Sequence, residues 1–295
     1  MTSGSGAVPP SEPSAAALAS IAPDSRTERL NTRAAGVIGL AVMCSRVLGL
    51  VREQVCAALF GVGAMDAFTA AFRIPNLLRD LFAEGALSTA FVATFSKTIA
   101  RGGDRAAWRL ADKVATLTAL ALGAVCLVGM LCSTQLVALL APGFEPHKAA
   151  LTAQLTRIMF PFILLVSLAA LVMGMLNAKS IFGMPAMASS FFNLGSIVGG
   201  VAIGAWIDPH FGSGALVGLA IGTLIGGALQ FGVQLPALRR LGYHFRPDFG
   251  WRDPGVRAIL ALMGPSVIAA STTQVNVMVN SMFASTLGDG PIFWL

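Results

Sequence analysis

The sequence predicts an all-α, polytopic transmembrane helix bundle. Hydrophobic residues make up 55% of its 295 residues and charged residues only 12%, whereas a soluble domain carries about 25% charged residues. Apolar segments long enough to cross a hydrocarbon layer of about 30 Å recur along the chain, with turn-forming sequences between them. A soluble protein of this length would need a charged surface that these few residues cannot supply.

The first 27 residues, MTSGSGAVPPSEPSAAALASIAPDSRT, predict a disordered tail. They are rich in Ser, Pro, Ala and Gly, a composition that does not bury enough apolar surface to fold. A signal peptide carries its positive charge before the apolar run, but here Arg26, Arg29 and Arg33 follow the only weakly apolar patch. We therefore expect a tail that is not cleaved.

Apolar segments beyond the tail predict about seven membrane spans. Their connections include the turn-forming sequences FGVGAMD, APGFEPH and DPHFGSG. Glycines four residues apart indicate close helix packing on the fifth span, with Gly195 and Gly199, and on the sixth, with Gly218, Gly222 and Gly226. The spans cover roughly residues 34–60, 66–97, 110–141, 149–177, 184–207, 213–238 and 256–287.

Lysine and arginine are distributed unevenly over the predicted connections. Cytoplasmic loops hold an excess of these residues, and only Lys148 falls on one side of the predicted bundle. The N-terminus is therefore expected in the cytoplasm. The basic residues of the cytoplasmic side are Arg26, Arg29, Arg33, Lys97, Arg101, Arg105, Arg109, Lys113, Lys179, Arg239, Arg240, Arg246, Arg252 and Arg257.

Five further arginines, Arg46, Arg52, Arg73, Arg79 and Arg157, fall at or near membrane depth. An arginine that faces lipid at the centre of a helix costs about 2.5–3.5 kcal/mol on insertion scales. Some of them could reach an interface with their long side chains, or nearby acids could neutralise them in structural ion pairs. The other interpretation is a cavity filled with water.

The second predicted span carries one polar stripe. At 100° per residue, Arg73, Asn76, Asp80 and Glu84 lie on one face of a helix. Such a stripe requires water or a polar partner, which places it in the interior of the bundle rather than against lipid.

In the first span, Arg46 and Glu53 are seven residues apart and share a face, whereas Arg52 points away unless the helix bends at Gly49. A short connection makes the first two spans antiparallel neighbours, so their charges are expected to converge on one central cavity. The four arginines of the two spans exceed their carboxylates by about one charge. Such a cavity suits a diphosphate or another multivalent anion, which guanidinium groups bind in a bidentate manner.

The sequence contains no pattern of a catalytic or metal site. His147, His210 and His244 fall in predicted loops without an evident nucleophile or carboxylate beside them, so a membrane enzyme is disfavoured. The four cysteines show no ligand spacing, and no cofactor is expected. The formal net charge of +6 fits a membrane surface better than nucleic acid, because the basic residues lie between the spans.

Four stretches resemble the MurJ/MviN family of lipid II flippases: SRVLGLVREQVCAALFG, DAFTAAFRIPNLLRDLFAEGALSTAFV, APGF and FPFILLVSLAALVMGMLNA. The resemblance extends from about Asn31 to Leu295. It implies the fold of the multidrug/oligosaccharidyl-lipid/polysaccharide exporter superfamily, in which two six-helix lobes surround a central cationic cavity. The implied function is transport, not catalysis: lipid II, an undecaprenyl-diphosphate-linked disaccharide-pentapeptide, moves to the outer leaflet of the bacterial inner membrane by alternating access.

The resemblance also assigns substrate contact to residues of the first two spans. Glu53 stands where many members have Asp, and Arg73 stands where the family has Lys or Arg. Membrane lipids and proteins of wall synthesis are further partners that the resemblance suggests. The residues expected at the substrate site are Arg46, Arg52, Glu53, Asp66, Arg73, Asn76, Arg79 and Glu84.

The composition of the tail and the resemblance together predict three regions: a disordered cytoplasmic tail at 1–27, an N-terminal six-helix lobe at 28–250, and the first helix of a second lobe at 251–295. The family continues through further spans, so we expect the chain to be an incomplete N-terminal part that does not flip lipid by itself. Alternating access needs two bodies around one site.

Two other classes of function share parts of this pattern. An exporter of cationic drugs would have the same fold but an acidic cavity, which the excess of arginine disfavours. A scaffold for wall synthesis would retain function without the cavity charges. The energy source stays open between a coupling ion and the membrane potential, because Gln274, Asn276 and Asn280 in the seventh span could bind an ion or bridge helices.

Overall fold

A computed structural model describes residues 25–80, 87–288 and 290–294, with only the backbone course given for 25–35, 37, 62 and 294. Every regular element in these ranges is a helix, which confirms the predicted all-α class. The helices are α1 (Ser25–Phe60), α2 (Val62–Arg79), α3 (Ser88–Leu131), α4 (Ser133–Leu140), α5 (Pro146–Met159), α6 (Phe162–Ala178), α7 (Gly183–Ile207), α8 (Ala215–Gly232), α9 (Leu235–Arg240), α10 (Pro254–Ala284) and α11 (Pro291–Trp294).

Five helical stretches among the described residues are long and apolar enough to cross a membrane. Helices α1 and α2, which correspond to the first predicted span and to the beginning of the second, are not among them. The second predicted span, 66–97, also includes the start of α3. The total of about seven spans therefore stays a prediction, and so does the disordered tail, since residues 1–24 lie outside the described part of the chain. The five stretches are Ser88–Leu131, Pro146–Ala178, Gly183–Ile207, Ala215–Arg240 and Pro254–Ala284.

Several predicted elements are divided or displaced in the structure. The predicted span at 149–177 consists of α5 and α6, which are separated at Phe160 and Pro161 because proline cannot donate the next helical hydrogen bond. Gly103 has φ +69° and interrupts the helical backbone of α3, in the predicted connection between the second and third spans. His147, predicted in a loop, lies in the first turn of α5.

The closest helix contact joins α7 and α8, where the sequence predicts glycine packing. A Cβ atom on Gly222 would lie 2.2 Å from the backbone nitrogen of Gly200, and one on Gly218 would lie 2.2 Å from that of Gly204. A Cβ on Gly195 would lie 3.0 Å from Cα of Gly226. The glycines therefore allow backbone contact that any other residue would prevent, and this prediction is confirmed.

Helix α1 lies at the edge of the bundle, whereas α2 lies inside it. Although Gly61 alone separates the two helices, α1 packs mainly against α7 and contacts α2 little. Leu40, Met43 and Leu50 on α1 are exposed, as expected of a helix that faces lipid. In contrast, α2 contacts α5, α6 and α11, and its fully buried Ala70 and Ala71 face the core.

Candidate substrate cavity

A cavity of about 590 Å³ lies between α1, α2, α7 and α8. Its charged lining among the described residues consists of Arg52 and Glu53, both on α1. The rest of the wall is mainly apolar, with Phe68 and Phe72 of α2 and, from α11, Phe293. The site thus combines one guanidinium and one carboxylate with an apolar wall, a composition suited to binding a charged group whose remainder is apolar.

The Arg52 side chain is half-buried and is positioned by an aromatic ring. Its Cζ atom lies 5.4 Å from the centroid of the Phe192 ring on α7, close enough for cation–π attraction. Phe192 in turn packs against Phe162, with 5.4 Å between the ring centroids. Electrostatic interactions reach Arg52 from the adjacent Glu53 and from Arg79 on α2. Two of the predicted arginines are therefore brought within electrostatic range of each other.

Arg79 lies at the last residue of α2 and forms an ion pair with its neighbour. Its Nη2 and Nε atoms donate to Oδ1 of Asp80 at 2.8 and 3.1 Å. Both side chains retain partial exposure, at 22% for Arg79 and 33% for Asp80. A guanidinium paired with a carboxylate in this exposed setting can exchange that carboxylate for another anion.

Arg73 does not line the cavity that contains Arg52, contrary to the prediction of one central cavity. It lines a second cavity of about 490 Å³ with Ile74, Leu78 and Met278. Its Nη1 atom donates to Oγ of Ser281 on α10 at 2.5 Å. Helical rotation explains the difference. Phe68 and Phe72 face the first cavity, and Arg73, one residue after Phe72, is rotated by about 100° around the helix axis and faces the second cavity.

Two other predicted residues lie apart from the cavity wall. Arg46 is exposed on α1, beside the point where Asn193 Nδ2 of α7 donates to the carbonyl of Ser45 at 3.0 Å. Asn76 is half-buried on α2. Glu84 lies outside the described residues. The expected excess of one positive charge is not found in the described lining, which holds Arg52 and Glu53 alone among charged residues.

Asp66 lies at the other end of α2, in a buried polar cluster with Lys148, Gly290 and Phe293. Its carboxylate is 0% exposed and accepts from Lys148 Nζ at 3.2 Å and from the backbone nitrogens of Gly290 and Phe293 at 2.6 and 2.8 Å. The amides belong to the start of α11, so Asp66 joins α2, α5 and α11. In this "Asp66 cluster" the carboxylate accepts from three protein groups. Asp66 is not part of the described lining of the cavity that contains Arg52.

Lys148 is the residue of this cluster that sequence reasoning missed. Its Nζ atom also lies 4.4 Å from the ring centroid of Phe144. A signal was present, since Lys148 is the only basic residue on its predicted side of the membrane. A lone cation among apolar spans is often retained for a specific anion.

The described residues form a multi-pass helix bundle with a half-buried guanidinium in an internal cavity. A structure of the Vibrio cholerae MATE transporter VcmN in the bent form has a similar fold and matches with TM-score 0.66 over 92% of this chain and 60% of that chain, at 15% identity. A structure of lipid II flippase MurJ in the inward closed conformation matches with TM-score 0.71 over 87% of this chain and 52% of that chain, at 24% identity. At these identities the matches show the fold alone.

Sequence relationships identify the family. The family model "Lipid II flippase MurJ" matches residues 56–295, and the chain belongs to this family. It is 38% identical over 260 residues to the lipid II flippase MurJ of Burkholderia cenocepacia, covering 86% of this chain and 49% of the relative. It is 37% identical over 270 residues to the probable lipid II flippase MurJ of Vibrio cholerae, and the match covers 88% of this chain and 50% of that relative. The chain spans about half the length of the curated relatives that it matches.

Proposed function

We propose that this chain forms the N-terminal part of a transporter that moves lipid II to the outer leaflet of the bacterial inner membrane by alternating access. Family membership supports the substrate, because the relatives are named lipid II flippases. The observation that carries the proposal is Arg52, a half-buried cation in a cavity of about 590 Å³ with Arg79 in electrostatic range. An arginine is retained at such depth for an anionic ligand.

The diphosphate of the substrate is the group that these arginines would bind. A guanidinium donates two parallel hydrogen bonds to a phosphate, and these charge-assisted bonds are stronger than bonds to neutral groups. Without substrate, Glu53 and Asp80 lie beside Arg52 and Arg79 and offset their charge. Binding therefore exchanges carboxylates for phosphates, while the prenyl chain stays in lipid through a gap between helices.

The remaining predicted residues have different roles in this proposal. Arg46 and Arg73 contact the substrate only after the helices rearrange, since neither lines the Arg52 cavity in this conformation. Asn76 and Glu84 stay candidates for substrate contact on the face that they share. Asp66 acts through the structure, by fixing α11 against α2.

The proposed orientation has the N-terminus in the cytoplasm. The basis is the concentration of basic residues on one predicted side against Lys148 on the other. In this orientation the 241–253 segment faces the cytoplasm and the Asp66 cluster faces outward. The energy source, whether a coupling ion or the membrane potential, stays open.

A growth experiment tests the proposed role of the arginines. In a strain depleted of its own flippase, Arg52→Ala and Arg79→Ala together should abolish rescue by the complete transporter, of which this chain is proposed to form the N-terminal part. Arg52→Lys should rescue partly, because an ammonium keeps the charge but loses the two-pronged geometry. The matched control is Arg157→Ala, which removes an exposed arginine that donates to the carbonyl of Met130 at 3.2 Å outside the cavity.

The outcome separates binding from folding. Membrane levels of each variant are measured by immunoblot, so that a poorly inserted protein is not counted as an inactive one. Full rescue by the double variant at normal levels would contradict the proposal. An equal loss of rescue by Arg157→Ala would also contradict the proposal, because removal of an arginine outside the cavity would then have the same effect.

A further inference from the structure

The segment at 241–253 is the longest described stretch without helical structure, yet it is held firmly against α3. It joins α9 to α10, and both adjoining stretches, Ala215–Arg240 and Pro254–Ala284, are apolar enough to cross a membrane. This short connection between two such helices must therefore lie at a membrane surface.

A buried carboxylate of α3 fixes the first half of the segment. Asp112 is 7% exposed and accepts from the hydroxyl of Tyr243 at 2.7 Å and from the backbone nitrogen of Arg246 at 3.1 Å. The Tyr243 ring packs against Trp108, with 5.1 Å between the centroids. Burial and the bond to Asp112 raise the pKa of Tyr243, so its hydroxyl donates throughout the physiological range.

Further polar bonds fix the second half. The backbone nitrogen of Asp248 donates to Thr116 Oγ1 at 3.1 Å. Lys113 Nζ lies 2.6 Å from Asp253 Oδ2 and 4.0 Å from Asp248 Oδ2. Asp248 and Asp253 are the only acidic residues between positions 239 and 257, so the lysine of α3 offsets both.

The side chains that point away from this attachment form an unusual combination of aromatic and basic groups. Phe245, Phe249 and Trp251 are 52%, 62% and 60% exposed, because no described part of the chain covers them. The Cζ atom of Arg252 lies 4.7 Å from the centroid of the Trp251 ring. Five exposed arginines accompany the aromatic residues: Arg239, Arg240, Arg246, Arg252 and Arg257.

We propose that the 241–253 segment and its flanking arginines form a binding surface for the phosphodiester headgroups of anionic membrane lipids. Exposed aromatic residues next to apolar helices prefer the headgroup level of the bilayer, and arginines bind phosphate oxygens in bidentate fashion. Fixed attachment to Asp112 keeps these side chains ordered at the surface before any lipid binds, which lowers the entropic cost of binding. This inference is independent of the transported substrate.

The test uses the full chain in lipid nanodiscs, with Trp251 as the reporter. Phosphatidylglycerol or phosphatidylcholine with brominated acyl chains is added at equal mole fraction to a phosphatidylcholine bilayer. The signal is the part of the fluorescence quenching that Trp251→Phe removes. Brominated phosphatidylglycerol should quench this part at least about twofold more strongly, since one arginine near an anionic surface is worth a factor of about five in partitioning.

Matched charge variants separate a defined surface from diffuse attraction. Arg240, Arg246 and Arg252 are changed together to Gln, and the control changes Lys97, Arg101 and Arg105, which are exposed on α3, to Gln. The first variant should equalise quenching by the two lipids, and the control should retain the preference. Because nanodiscs are open on both sides, neither result depends on the orientation of insertion.

A third variant tests the fixed attachment without removing any arginine or exposed aromatic residue. Asp112→Ala, which removes the acceptor of both bonds, should weaken the lipid preference, and Tyr243→Phe, which removes one bond only, should weaken it less. Equal quenching by both lipids in the wild type would overturn the proposal. The same holds if the control variant loses the preference as fully as the first, or if Trp251 is quenched by aqueous iodide and not by brominated lipid.

Discussion

The two ends of α10 lie beside attachments of similar chemistry but different exposure, while no residue in the middle of the helix is buried. Its buried residues are Val256 and Ile259 near the start and Ser281 and Ala284 near the end. At the start, Asp253 caps the helix and pairs with Lys113, and its side chain is 28% exposed. Beyond the end, α11 is attached through Asp66, which is 0% exposed.

From this difference we expect burial, more than the number of bonds, to set the strength of each attachment. Both carboxylates pair with a lysine and accept backbone hydrogen bonds. Water can replace the partners of Asp253, but it does not reach the carboxylate of Asp66. Loss of one partner at a buried site leaves a charge or a donor unpaired, whereas loss at a partly exposed site is largely compensated.

The largest effect is expected from Asp66→Ala. The change leaves the Lys148 ammonium and two amides without their acceptor, and removal of one partner of a buried pair costs about 3–5 kcal/mol. The midpoint of thermal unfolding in detergent should fall, and a cysteine at position 292, where Ile292 is 1% exposed, should become reactive to a polar thiol reagent.

The control is Asp208→Ala, which removes a carboxylate from the connection between α7 and α8 and should change neither measurement. The double variant Asp66→Ala, Lys148→Ala should lose less stability than the two single changes together, since the pair is removed as a unit. Additive losses would show that Asp66 and Lys148 act separately and would contradict the described cluster.

A smaller effect is expected from Asp253→Ala at the start of α10. Removal of an N-cap acceptor costs about 1 kcal/mol, and the pair with Lys113 adds little because it is partly exposed. Asp253→Asn should retain most of the stability, since an amide oxygen also caps a helix. Unfolding midpoints of the three proteins at neutral pH measure both changes.

The contribution of Asp253 to stability depends on pH in a defined direction. Burial acts to raise the pKa of Asp253, but the bonds from Lys113 and the backbone nitrogens of Gly255 and Val256 lower it more, so it lies below its ordinary value of 3.8. A carboxyl with a lowered pKa stabilises the fold above that ordinary value, and the contribution is lost as pH falls through the folded-state pKa. The difference between wild type and Asp253→Ala should therefore shrink in strong acid, whereas a difference that grows in acid would contradict this assignment.

The sequence predicts the helices and their close contacts well, because these depend on local patterns. Glycine spacing correctly indicates close packing at Gly195, Gly218 and Gly222. The apolar segments at 184–207, 213–238 and 256–287 match long helical stretches, whereas α3 runs through parts of two predicted spans. The sequence does not predict that Arg73 and Arg52 face different cavities. A helical period places residues on one face of one helix, but it does not say which neighbour that face meets.

Sequence patterns also do not predict the attachments made by the carboxylates of Asp66 and Asp112. Asp66 binds the amides of residues more than 200 positions further along the chain, and Asp112 binds Tyr243 across 131 positions. No local period connects such partners. The segment at 241–253 is predicted only as a basic loop, and its fixed course depends on bonds to α3 that become evident in three dimensions.

Binding of a diphosphate lipid to the Arg52 cavity is the most direct test of the proposed substrate site. Purified protein in nanodiscs is titrated with undecaprenyl diphosphate, and undecaprenyl monophosphate serves as the comparison ligand. Loss of a hydrogen bond to a charged group is worth about 1.5–3 kcal/mol, so Arg52→Ala should weaken diphosphate binding by roughly tenfold to a hundredfold, with Arg157→Ala unchanged. Equal affinities of wild type and Arg52→Ala for the diphosphate lipid would contradict the assignment of this cavity.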